Sequence, residues 1–407
     1  MSITIDEGGA VPNATRLSTA ATRFTGNELE YGFGEQGLPP TPPTTVAVIE
    51  GIATGSPDQI FEQADAAERV AERFEDPAHQ ERIRRVFKKT RIDTRRLAVD
   101  PLEPEFLEFS GKPATIRERM NLYYRYAAPL AVDVAGRALA AADTAAEEIG
   151  LLVFVTSTGF IAPGVDVAIV KELGLPKTVG RVVVNFMGCA AAMNGVRTAV
   201  DYVRANPDKK AMVVCIEVSS VNAAFDTDII HTITHSLFGD GCGAVVIGAS
   251  QVQQPLAPGK VVLRDTFSYL FDGAEDGIVL GVNDNGITCE LSENLQQYIF
   301  DGVDPVVSEV LDRNGLQKSD IELWAIHPGG PKIIESSSAS LGISADTADL
   351  SWDILAQHGN MLSVSLIFVL EQMIQRAETT KPISTGVAFS FAPGVTLEGM
   401  IFDIVRR

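Results

Sequence analysis

The strongest constraint on this chain is a set of short, uninterrupted apolar runs spaced between helical patterns. They fall at 151–155, 181–186, 211–216, 243–248 and 323–326, with a last pair at 386–391 and 399–405. A strand with one wet face alternates apolar and polar residues, whereas a continuous run marks a strand covered on both faces. Such strands interleaved with helices predict an α/β fold with mixed, buried sheets. The first strand is expected at 45–49, a charged amphipathic stretch at roughly 57–96 and a helix at about 115–143.

The pattern begins only after residues 1–44, which are rich in Gly, Thr, Glu and Pro and end in Pro39-Pro40-Thr41-Pro42-Pro43. Successive prolines fix φ and remove donors, so this segment reads as a flexible tether. Near 251–260, Gln-Gln-Pro and Pro-Gly interrupt the alternation, which suggests two halves, 45–250 and 251–407, each of strand–helix type.

The formal charge is −20 over 407 residues. That balance disfavours nucleic acid and anionic membranes, both of which need a positive surface. No apolar run approaches the ~18 residues of a membrane span, and the first residues lack the layout of a secretory signal. The expectation is a soluble, cytoplasmic protein. The four cysteines, Cys189, Cys215, Cys242 and Cys289, form no CxxC and have no histidine at ligand spacing, so neither zinc nor a disulfide framework is expected.

Cys189 stands apart from the other three. It follows a strand and a Met187-Gly188 turn, and an alanine-rich helix with Met193, Val196, Val200 and Val203 on one face comes after it. A thiol at a helix N-terminus meets free N–H groups and the positive end of the dipole, which favour thiolate. His327 ends a strand and enters Pro328-Gly329-Gly330-Pro331, a rigid turn at the sheet edge where α/β sites gather. Asn360, in Gln357-His358-Gly359-Asn360-Met361, presents an amide where an apolar helix begins; an ordinary N-cap is the alternative reading. His79 and His358 read as surface or cap residues, and His231 and His235 have the i, i+4 spacing of metal ligands without a third partner.

Taken together, Gly188-Cys189, His327-Pro328-Gly329-Gly330-Pro331 and Gly359-Asn360-Met361 resemble the type III polyketide synthases of the chalcone synthase class. Leu237-Phe238-Gly239-Asp240-Gly241 is similar to the segment with that family's gatekeeper phenylalanine. Phe391-Ala392-Pro393-Gly394 is similar to its terminal glycine-rich loop, with Ser390 and Ala392 where glycines are usual. The resemblance spans 45–407 and points most to mycobacterial long-chain alkylpyrone synthases. It implies a thiolase-like layered α/β/α/β/α fold with two related halves, a homodimer, Cys189, His327 and Asn360 as catalytic residues, and no cofactor beyond the CoA thioester substrates.

Those substrates are expected to be a long-chain acyl-CoA and malonyl-CoA, with methylmalonyl-CoA as another extender. CoA phosphates need cations, and residues 82–96 hold eight against Asp93 alone, a net charge of +7. The resemblance assigns CoA contact to Arg82, Arg85 and Lys89, which share one helical face. It sets the acyl tunnel at Thr158, Ala162, Ser219, Ala223, Leu280 and Cys289, mostly small side chains. The product it implies is an alkyl-α-pyrone, with an alkylresorcinol as the other closure. A ketoacyl synthase III-like enzyme, a Cys-His-Asn hydrolase and a non-catalytic lipid binder remain open on the residues alone.

Overall fold

Strand β1 (Thr45–Gly55) sits at the middle of a nine-stranded sheet in the computed structural model, which describes residues 45–103, 106, 115–223, 236–251, 255–283, 286–376 and 381–406. On one side of β1 come β7 (Gly241–Gln251), β6 (Lys210–Glu217), β4 (Ile149–Thr156) and β5 (Gly180–Asn185). On the other come β8 (Val261–Leu270), β13 (Thr396–Val405), β12 (Ile383–Ala392) and β11 (Leu323–Ile326). Because β1 pairs with both β7 and β8, the sheet runs through the expected boundary at 251 without a break. Parallel pairs lie at both ends, β6–β4–β5 and β11–β12, and antiparallel pairs lie between. The described residues fall within one compact unit, Pro43–Arg407.

Helices divide into three layers around the sheet. Helices α5 (Ala191–Ala205) and α9 (Ser365–Gln375) share a core with Val153, Val213 and Val245 of one half-sheet and with Ala388, Met400 and Phe402 of the other. These two helices therefore form the central layer. The long α3 (Ile116–Ala141) and α4 (Val165–Glu172) cover the outer face of the first half, against Leu152, Phe154 and Met212. The other outer layer, α6 (Leu295–Arg313) and α7 (Pro331–Leu341), packs on Val387, Phe389 and Ile401. The layering is α/β/α/β/α. Helix α3 begins where the sequence expects it, because Thr115 and Glu118 form a reciprocal capping box.

Three features depart from the sequence reading. The stretch 57–96 is two helices, α1 (Gln63–Ala71) and α2 (Pro77–Lys89), flanked by a small ribbon of β2 (Ile60–Glu62) and β3 (Thr94–Arg96). Strand β5 is not covered on both faces: it is the sheet edge, with Val182 37% and Val183 52% exposed. Strand β8 and the separate hairpin β9 (Ile278–Asn283) with β10 (Gly286–Leu291) were not anticipated: β8 and β10 mix polar with apolar residues, and β9 has only three consecutive large apolar residues, Ile278-Val279-Leu280. In β10 apolar Ile287, Cys289 and Leu291 alternate with polar residues and stand opposite Val282, Leu280 and Ile278 of β9.

Candidate active site

The chain leaves β5 through a tight turn with Phe186 at φ 58° and Gly188 at φ 58°, and Cys189 follows at the start of a short 3-10 segment leading into α5. Left-handed backbone favours glycine, and a Cβ on Gly188 would stand 3.2 Å from Pro393 Cδ. The β12–β13 turn with Pro393 and Gly394 thus presses on the nucleophile turn, despite Ser390 and Ala392 in the strand before it. Gly188 N–H donates to Ser157 Oγ at 3.0 Å, which fixes the turn from below.

His327 extends β11: its N–H donates to Phe389 O at 3.0 Å and its own carbonyl accepts from Gly329 N–H at 2.9 Å. The ring is buried, and neither nitrogen has a hydrogen-bond partner among the described residues. Asn360 follows α8 (Asp349–His358) through Gly359, whose φ is 69°. A Cβ on Gly359 would stand 2.7 Å from Leu237 O, so a side chain there would push the two segments apart. Asn360 N–H donates to Leu237 O at 2.8 Å, and Gly239 N–H donates to Asn360 O at 3.0 Å, joining the Asn360 turn to Phe238.

The two readings of Asn360 prove compatible. Its Oδ1 caps the next turn by accepting from Leu362 N–H at 2.8 Å. That leaves Nδ2 facing the cavity, 3.2 Å from Gly329 O and 4.0 Å from Cys189 Sγ. Cys189, His327, Asn360 and Phe238 line one narrow cavity of about 50 Å³, walled by Leu237, Ile278, Leu280, Cys289, Leu291 and Phe391. Leu237, Leu291, Leu295, Gly329 and Ile333 also line a wider outer space of about 380 Å³ that reaches Lys89.

Two segments of the chain separately match the family models for chalcone and stilbene synthases: the N-terminal domain over residues 43–251 and the C-terminal domain over residues 265–406. The chain belongs to the chalcone and stilbene synthase family. It is 67% identical, over 96% of its length and 98% of the relative's, to the alpha-pyrone synthesis polyketide synthase-like Pks18 of Mycobacterium tuberculosis. The crystal structure of PKS-I from the brown alga Ectocarpus siliculosus is similar at a TM-score of 0.84 and 38% identity, covering 89% of this chain and 99% of that one. The type III domain of Steely1 from Dictyostelium is similar at a TM-score of 0.80 and 29% identity, covering 88% of this chain and 99% of that one. The protein is thus a type III polyketide synthase, an acyl-transferring condensing enzyme with the thiolase-like fold.

In this type III synthase burial acts against the thiolate that the helix terminus at Cys189 favours. Burial pushes the Cys189 thiol up, with the Cys289 sulfur adding to the effect and the Asn360 amide opposing it. Burial holds His327 down to about 3. A helix terminus stabilises an anion by up to ~2 kcal/mol, less than apolar walls penalise it. Burial thus favours the neutral thiol and the neutral imidazole, against the pull of the helix terminus towards thiolate.

The basic stretch also divides. Arg84 is held by Glu68 at 2.9 Å and Arg91 by Glu335 at 3.0 Å. Arg95 is buried, where it donates to Phe238 O at 3.0 Å and to Gln63 Oε1 at 2.9 Å. Arg96 donates to the carbonyls of Pro57 and Asp58 at 3.3 Å. Arg82, Arg85 and Lys89 lie together on the exposed face of α2, and of these Lys89 borders the outer space.

Among the tunnel residues, Leu280 and Cys289 wall the cavity as opposed partners on β9 and β10. Thr158, Ala162, Ser219 and Ala223 are not among the residues lining that cavity. Thr158 is buried and donates to Glu217 at 2.8 Å; Ala162 is exposed; Ala223 is buried and Ser219 half-buried. Of the histidines, His79 stacks on Phe74 at 4.4 Å and His358 is half-buried 4.8 Å from Phe368, so neither is a plain surface residue. His231 and His235 lie outside the described residues. Among those described, no group of three metal-ligating side chains occurs, and no helix is long and apolar enough to cross a membrane.

Glu217 is the residue that sequence reasoning passed over. It is wholly buried at the end of β6, without an ion pair among the described residues. Its carboxylate accepts from Ser157 N–H at 2.9 Å, Thr158 Oγ1 at 2.8 Å and Ser363 Oγ at 2.5 Å. Through Ser157 it supports the Cys189 turn, and through Ser363 the Asn360 turn. A lone acid closing an otherwise apolar run at 211–217 was the available signal.

Proposed function

We propose that this synthase loads a long-chain acyl-CoA onto Cys189, extends it with malonyl-CoA and closes the chain to an alkyl-α-pyrone. The observation that carries the proposal is one apolar cavity lined by a thiol, an imidazole without a hydrogen-bond partner among the described residues and the Asn360 amide N–H, and adjoining an outer space bordered by Lys89.

The thioester of the acyl-CoA enters past Lys89, Arg85 and Arg82, whose charges suit its phosphates. Cys189 gives its proton to His327 as its sulfur attacks the thioester carbonyl, so the two charges appear as a pair and neither is buried alone; the bond to the CoA sulfur then breaks and the proton leaves with the CoA thiol. Malonyl-CoA then binds with its thioester carbonyl facing His327 and Asn360. The N–H donors there stabilise the enolate left by decarboxylation. That carbon attacks the acyl thioester on Cys189, and return of the chain to sulfur allows a further round. An enol oxygen finally attacks a carbonyl and releases the lactone. Phe238, fixed through Asn360 and Arg95, shapes the junction between entrance and cavity.

A chain of ~15 methylenes gains at most about 12 kcal/mol on burial, before entropic losses. The resting cavity holds only a few atoms, so loading widens it. Among the described residues the β9–β10 hairpin pairs with no strand of the main sheet, and it is the wall best placed to yield. The unpaired apolar edge of β5 supports homodimer formation by strand addition. Our reading also puts the enzyme in the cytoplasm, where its CoA thioesters are found.

Mass spectrometry of products from a panel of acyl-CoA starters, each with malonyl-CoA or methylmalonyl-CoA, tests the proposal. Alkyl-α-pyrones from long starters with malonyl-CoA support it, and alkylresorcinols would revise the closure. Free fatty acid without extension would refute it in favour of a hydrolase.

A further inference from the structure

The cavity contains a second thiol that the condensation does not use. Cys289 lies on β10 directly opposite Leu280 of β9, and both line the cavity with Cys189. Leu280 packs close to the nucleophile turn, its Cδ1 3.6 Å from where a Cβ of Gly188 would stand. Directly opposed residues on a hairpin have Cβ atoms ~5 Å apart on the same face, so Cys289 shares this layer of contacts. Cys189 and Cys289 are both half-buried residues of a cavity whose lining is mostly apolar. The other two cysteines, Cys215 and Cys242, are wholly buried within β6 and β7.

We infer that Cys189 and Cys289 form a reversible disulfide when the protein meets a hydroperoxide, which masks the nucleophile and protects it from irreversible oxidation. In the first step, with hydrogen peroxide, Cys189 gives its proton to His327 as its sulfur attacks the O–O bond; the S–O bond of the sulfenic acid forms, and the departing hydroxide takes that proton and leaves as water. In the second, the Cys289 sulfur displaces the hydroxyl of that sulfenic acid; the S–S bond forms, and its thiol proton departs in a second water. Two thiols lose two electrons and one peroxide gains them.

The surroundings select this product. Further oxidation of Cys189 would give a charged sulfinate, which dry walls penalise, while a disulfide carries no charge. A disulfide needs its Cα atoms within about 7 Å. Among the described residues the hairpin forms a two-stranded sheet of its own, outside the nine-stranded one, so its strands can shift without breaking the main ladder. The chemistry depends on neither the acyl chain nor the ring closure assigned above.

The full-length chain is treated with hydrogen peroxide, its remaining thiols are alkylated, and its peptides are mapped by mass spectrometry before and after dithiothreitol. Expected for the wild type is a cross-linked peptide pair joining Cys189 and Cys289 that dithiothreitol releases, together with recovery of most of its own untreated activity. Cys289→Ala is expected to convert Cys189 to sulfinic acid, which dithiothreitol does not reverse. Sulfinic acid at Cys189 in the wild type without a cross-link overturns the inference. So does a cross-link through Cys215 or Cys242, or a Cys189 that peroxide leaves unchanged. The wild-type cross-link decides the matter even if the variant does not fold.

Discussion

Replacing Glu217 with glutamine tests whether the acid behind the cavity is held protonated by burial. Its carboxyl is pushed up to about 7 from an ordinary 4.5, with desolvation as the main cause and hydrogen bonds from Ser363, Ser157 and Thr158 opposing it. A raised folded-state value means that between these limits the folded chain keeps a proton the unfolded chain has released. The associated stability is therefore fully present below about 4.5 and is lost as the pH rises through about 7. The whole shift corresponds to roughly 3 kcal/mol for this completely buried group. Glutamine is neutral and of the same shape, and it keeps an oxygen for Ser157 N–H. Urea unfolding of both proteins, followed by circular dichroism between about pH 5 and pH 8 at fixed salt, isolates this group, because other titrations cancel in the difference. Stability of the variant relative to wild type is expected to rise by most of that amount across the range. Parallel pH profiles for the two proteins would refute the reasoning.

The mechanism yields further outcomes. Cys189→Ala abolishes the acyl-enzyme seen by intact mass after incubation with acyl-CoA, while CoA binding persists. Asn360→Ala slows malonyl-CoA decarboxylation by ~10²–10³, as for loss of one oxyanion donor, and slows acyl loading much less; normal extension by this variant would falsify the enolate assignment. Lys89→Ala raises KM for CoA thioesters and leaves kcat unchanged, and the difference from wild type shrinks at high salt as screening shortens the reach of the lost charge. Cys289→Phe fills the wall opposite Leu280, and competition between starters shifts towards shorter chains.

The parts of this protein legible in its sequence are those encoded by neighbouring residues. Continuous apolar runs identified most strands of the sheet, and the Gly188-Cys189, His327-Pro328 and Gly359-Asn360 turns announced themselves because special backbone conformations demand special residues. Periodicity was silent where pairing depends on a distant partner. The exposed edge of β5 was one such case, and β8, which pairs with the distant β1 and β13, was another. The cavity joins 189, 327 and 360, which lie on three separate loops. The burial that disfavours charge on Cys189 and His327 comes from walls contributed by still other segments. Net charge at 82–96 was countable from the sequence, but Glu68, Glu335 and the Phe238 carbonyl engage three of those cations from elsewhere in the chain. Local sequence determined which chemical groups stand at which turns. Only the tertiary structure decided which of them meet, and whether they keep their charge, because desolvation and long-range contact are properties of packing.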